Sequence, residues 1–165
     1  MTKISGPRDR VIDDLFRNCC EAAKVVFERE GHFYSKLHLI FKDGSMAILG
    51  GGSMHEMIEE ARKLSNDGLL AVFGIAEAWS VFRHAEDPDL ETVNPSEASD
   101  RQEVLHAFLE TREGRRLLVT WNIIRRDEAG WPSLGEPETN TTGPGMKFGG
   151  RCVGIFPIFH GASIH

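Results

Sequence analysis

The chain has 165 residues, 41% of them hydrophobic and 27% charged, with a formal net charge of -6. Those proportions suit one soluble domain, spanning 1–165 and long enough to bury a core. The acidic balance argues against a general nucleic-acid binder, which needs a clustered basic surface to displace phosphate counterions. No apolar run approaches the ~20 residues that cross a bilayer. Met1 to Arg10 lacks the apolar stretch of a secretory signal. Cys19, Cys20 and Cys152 are an odd set with an adjacent pair, a poor disulfide framework. A reducing, cytoplasmic setting is expected.

The first segment reads as a helix. Ile12, Leu15, Phe16, Cys19, Ala23, Val26 and Phe27 recur at three- and four-residue spacing and form one apolar stripe, with Gly31 as a stop. Cys19 falls on the stripe and Cys20 at its edge, which makes both packed thiols rather than ligands. Leu37, Leu39 and Phe41 then alternate with polar residues. Asp43-Gly44 turns the chain into a second strand, Ser45 to Leu49, as a type I′ turn would. Gly50-Gly51-Gly52 leads to Ser53 and Glu56, whose spacing is that of a capping box, so a second helix should run from Ser53 to about Ser65.

From Leu69 to Phe82 the only polar residues are Glu77 and Ser80, which reads as a long buried strand. Residues 83–101 are rich in Asp, Glu, Pro and Ser and read as a long connection. Glu103–Arg112 and Arg115–Arg126 read as a hairpin around a two-residue turn, Glu113-Gly114. Residues 127–150 hold many Gly and Pro and read as a second long loop, followed by a short terminal strand or apolar tail from Val153 to Phe159. The expected fold is α+β: a mainly antiparallel sheet of about five to six strands with two principal helices, in the order α-β-β-α-β-β-β-(β).

The two-residue turn sets a register. If Arg112 pairs with Arg115, His106 faces Trp121 on an apolar face. On the preceding strand Phe73, Ile75, Glu77, Trp79 and Val81 share a face of large residues. The opposite face carries Val72, Gly74, Ala76, Ala78 and Ser80, small enough for both helices to approach it. The large-residue face would then be a second core or a concave surface under the loops. A carboxylate beside an imidazole there suits acid–base work, so Glu77 and His106 are the candidate catalytic pair. The simpler alternative is that Glu77 pairs with an Arg and His106 is a satisfied core residue.

Other constellations are weaker. Gly51, Gly52 and Ser53 at a helix start offer N–H groups to an anion, but the Lys-Ser/Thr ending of a phosphate loop is missing. No pair among the histidines has metal-ligand spacing, and there is no Cys-x-x-Cys, so neither a metal nor a cofactor is expected. Trp131, Leu134, Met146 and Phe148 place apolar anchors on a Gly- and Pro-rich segment. With Trp79 and Trp121, residues Trp131, Met146 and Phe148 are the expected binding residues.

Ala76-Glu77-Ala78-Trp79, Pro95-Ser96, Asp100-Arg101-Gln102-Glu103-Val104 and the strand ending Ile123-Ile124-Arg125-Arg126 resemble a recurring pattern in small uncharacterised bacterial and phage proteins. The resemblance covers about the central third of the chain and implies no activity. The element order is also loosely similar to the JAB/MPN metalloprotease fold. That family needs a His-x-His and a downstream Asp for zinc, and this sequence lacks the pair. The functional expectation is a non-catalytic protein-binding module, possible roles being those of a phage or mobile-element accessory or inhibitor protein. It would engage another protein, without nucleic acid or membrane. The alternative is a small enzyme or ligand-binding protein with a pocket around Glu77, His106, Trp79 and Trp121.

Overall fold

The computed structural model describes residues 7–65, 68–81, 88, 94, 97–125 and 130–141. Helix α1 (Pro7–Glu30) is followed by β1 (Lys36–Phe41), β2 (Met46–Gly50), α2 (Met54–Leu64), β3 (Leu69–Ser80), β4 (Gln102–Thr111), β5 (Arg116–Ile124), β6 (Ser133–Leu134) and β7 (Glu138–Thr141). All seven strands belong to one antiparallel sheet, ordered β2-β1-β3-β4-β5-β6, with β7 also pairing β5. The α+β expectation holds. The strand number rises to seven because the segment expected to be loop after residue 127 contributes β6 and β7.

The helices lie on opposite faces of the sheet, so the expectation that both approach the small-residue side is corrected. Ile12, Phe16, Cys20, Ala23 and Phe27 of α1 pack on Phe73, Ile75, Leu105, Ala107, Leu109, Trp121 and Ile123. The large-residue face of β3 is therefore closed core at Phe73 and Ile75 and opens from Glu77 onward. Cys20, placed by the sequence at the edge of the α1 stripe, is buried, and Cys19 is half-buried beside it. Helix α2 covers the other face, where Met57, Ile58 and Ala61 meet Leu37, Leu39, Val72 and Phe108. Gly74 lets that second core close. A Cβ there would lie 2.5 and 2.6 Å from the Phe108 ring and 3.0 Å from Leu37 Cδ1.

Both hairpins turn in three residues, not two. Gly114 N–H donates to the Thr111 carbonyl, Thr111 N–H donates to the Arg115 carbonyl, and Gly114 has φ +92°. Lys42-Asp43-Gly44 repeats this pattern with Gly44 at φ +87°. No non-glycine residue among those described has positive φ, which excludes type I′ turns. A β-turn followed by a left-handed Gly is the three-residue, bulged connection. The extra residue shifts the β4–β5 register by one. His106 faces Thr120, and Trp121 faces Leu105.

Three arginines in and beside the second turn fasten it to the helices and to the sheet. Arg112 Nε donates to the Leu69 carbonyl at 2.6 Å, and its terminal nitrogen donates to the carbonyl of Ser65 at the end of α2. Arg115 forms an ion pair with Asp13 of α1. Arg116 stands 3.6 Å across the ladder from the buried carboxylate of Glu110.

Candidate functional site

The pairing of β3 with β4 separates the expected catalytic pair. Glu77 faces Leu105 and lies on the α1 side of the sheet, whereas His106 pairs with Ala76 and lies on the α2 side. Alternate strand residues point to opposite faces, so the two side chains are divided by the sheet and cannot exchange a proton directly. Burial holds the His106 imidazole down to a pKa of about 4, which keeps it neutral near neutral pH. The expected pocket around Glu77, His106, Trp79 and Trp121 does not form. Trp121 is core beneath α1. Trp79 is partly exposed, and its ring is covered by the Arg101 guanidinium at 4.4 Å.

Glu77 has a different partner from the expected arginine. Its carboxylate accepts the backbone N–H of Phe33 at 2.6 Å. The nearby guanidinium of Arg125 is taken by Glu103 through two hydrogen bonds of 2.8 and 2.6 Å. That pair holds the Glu103 carboxyl below its ordinary range, and the charge of Glu77 adds to the rise of Arg125. Glu77 is thus a latch from the middle of the sheet to the α1–β1 connection. A charge-assisted bond to a backbone N–H is among the stronger hydrogen bonds available.

The latched connection presents aromatic groups. Residues 32–34 alternate, so Phe33 turns toward the α1 core while His32 and Tyr34 turn outward. Tyr34 is 77% exposed. Its ring meets His32 edge-on at 4.7 Å, and Lys36 Nζ lies 5.9 Å from the centre of the Phe33 ring. Around them is a concavity of about 310 Å³ lined by Val26, Glu30, His32, Phe33, Tyr34 and Lys36. Trp131 stands at the same end of α1, 62% exposed. Its indole N–H donates to the Glu28 carbonyl at 2.7 Å, and Trp131 and Pro132 lie 3.5 Å from where a Gly31 Cβ would be. The sequence singled out Trp131 but missed Tyr34 and His32. Their signal was the alternation around Phe33 in the short link between α1 and β1.

The proposed anion cradle is already satisfied from within. Ser53 Oγ accepts the Glu56 N–H at 3.2 Å, and Glu56 accepts the Ser53 N–H at 3.0 Å. The capping carboxylate therefore occupies the helix start beside Gly51 and Gly52, where a bound anion would meet like charge. No group of three metal-ligating side chains occurs among the described residues. Met146, Phe148, Cys152 and the expected tail from Val153 to Phe159 lie outside the described residues, as does most of 83–101. Among the described residues no helix is long and apolar enough to cross a membrane. No family model, curated protein or solved structure matches the chain.

Proposed function

We propose that this chain is a non-catalytic protein-binding module of the cytoplasm. It engages its partner through the end of α1, with Tyr34 and Trp131 as anchors and His32, Lys36 and Glu30 as the polar surround. The observation that carries the reading is the Glu77 latch. It fixes Phe33 from beneath and so holds His32 and Tyr34 outward before any partner arrives. Exposed aromatic anchors on a pre-ordered backbone are economical binding groups, because little entropy remains to be lost on association. The net charge of -6 favours a partner with a basic face. A phage or mobile-element accessory or inhibitor role agrees with the resemblance in the central third of the chain, as analogy.

The test compares wild type with Tyr34→Ala and Trp131→Ala as baits in lysate of the source cell. The expected result is a protein retained by wild type and lost by both variants, with the Tm of Tyr34→Ala unchanged. An identical retained set for all three baits contradicts the reading.

A further inference from the structure

Strand β2 is the outer strand of the sheet, and among the described residues only β1 pairs with it. Phe41 N–H donates to the Ser45 carbonyl and closes the turn. Counting along the ladder from that pair, residues 47 and 49 exchange hydrogen bonds with β1. Met46, Ile48 and Gly50 therefore aim their N–H and C=O groups away from it. The side chains of the same strand include an exposed apolar pair, Met46 at 47% and Ile48 at 56%.

Edge strands of soluble proteins usually carry protection: a Pro, a Lys, an inward charge or a bulge. Met46-Ala47-Ile48-Leu49-Gly50 has no Pro and no charge, and its pairing with β1 has no register shift. A free row of backbone donors and acceptors is recognised by another extended strand. The strand is also self-complementary. In an antiparallel pairing about a two-fold axis at Ile48, Ile48 faces the partner's Ile48 and Met46 faces the partner's Gly50. Every outward backbone group of 46, 48 and 50 then finds a mate in a single register. Met46 lies over a residue with no side chain to compete with it. The uncharged strip lets two acidic chains meet without placing like charges in contact.

We propose that β2 is a homodimerisation edge: two copies join antiparallel through Met46–Gly50, about a two-fold axis at Ile48, into one continuous sheet. Such an isologous contact closes on itself and leaves no further open edge on that side. The edge adjoins the aromatic end of α1, since Gly50 pairs with Lys36, but neither Tyr34 nor Trp131 belongs to the paired segment, so variants at residue 48 and at residues 34 and 131 test the two surfaces separately.

Sedimentation velocity on the full chain, from low micromolar to several hundred micromolar, is the measurement. Wild type is expected to show a concentration-dependent dimer. Ile48→Lys and Ile48→Glu should each weaken it by roughly a hundredfold or more, because each places like charges face to face across the axis. Both variants should keep the wild-type circular dichroism and Tm, since residue 48 points to solvent. An equimolar mixture of the two should restore a dimer, which only a pairing of residue 48 with itself allows. If Ile48→Lys lowers the Tm, Met46→Pro at the first residue of β2 supplies a second test, because it removes an outward N–H that only a partner strand would use. A wild-type chain that stays monomeric throughout overturns the proposal. So does a dimer that survives both single variants, or a mixture that fails to restore it.

Discussion

Removing the Glu77 latch should loosen one short segment far more than it loosens the fold. In Glu77→Ala the half-buried N–H of Phe33 loses the acceptor that stands at 2.6 Å. An unsatisfied donor of this kind costs about 1–3 kcal/mol. Glu77→Gln keeps an amide oxygen in reach but loses the charge, so the loss should be nearer ~1 kcal/mol, the usual gap between charged and neutral hydrogen bonds. Native-state hydrogen exchange reads this directly at the Phe33 amide. Protection there should fall roughly tenfold in Glu77→Gln, and by about tenfold to a hundredfold in Glu77→Ala, in keeping with those energies. The amides of Leu105 and Ala107, in the core of β4, should be affected only to the extent that global stability changes. Unchanged protection of Phe33 in Glu77→Ala would refute the latch.

Gly74→Ala should destabilise the fold by about 1–3 kcal/mol in urea unfolding, because its Cβ would overlap the Phe108 ring; wild-type stability would show that the ring can move aside. Gly114→Val forces a β-branched residue into φ +92° and should lower stability by at least about 1–2 kcal/mol, read by thermal unfolding. The His106 imidazole is held at about 4 by burial, against 6.5 for the free group. The unfolded chain therefore binds this proton first, and stability is lost as pH falls from 6.5 toward 4, by on the order of a few kcal/mol. His38, also lowered by burial and then by the charge of Lys36, acts with the same sign. His106→Gln should therefore flatten the stability profile across that window only in part, and an unchanged profile would show that His106 is solvated.

The elements were readable because their signals are local. The apolar stripe from Ile12 to Phe27, the Ser53–Glu56 capping box and the uninterrupted run from Leu69 each specify an element without reference to the rest of the chain. The register failed at a single residue. Asp43-Gly44 and Glu113-Gly114 both suggest a two-residue turn, yet a type I′ turn needs positive φ at both positions. Glu113 is a poor occupant of that region, and this was the cue that the glycine closes a longer turn. One slipped residue set His106 opposite Trp121 in place of Thr120, whereas the β3–β4 pairing that divides His106 from Glu77 has no local signal at all. The placement of the helices was harder to read. Small residues at Gly74 and Ala76 suggested room for a helix, but at Gly74 the space is taken by the Phe108 ring, a tertiary contact with no trace in the local pattern. The partner of Glu77 was equally hidden, because the acceptor and the Phe33 N–H are 44 residues apart.

The central claim is that the latched aromatic end of α1 is where a partner binds. Site-specific photo-crosslinking in the source cell tests it most directly. A photoreactive residue replaces Glu30, at the rim of the concavity, or Val11, which is exposed near the other end of the same helix. The account predicts one discrete crosslinked species from position 30, none from position 11, and loss of the position-30 species when Tyr34→Ala is added. Equal crosslinking from both positions, or a position-30 species that survives Tyr34→Ala undiminished, would contradict it.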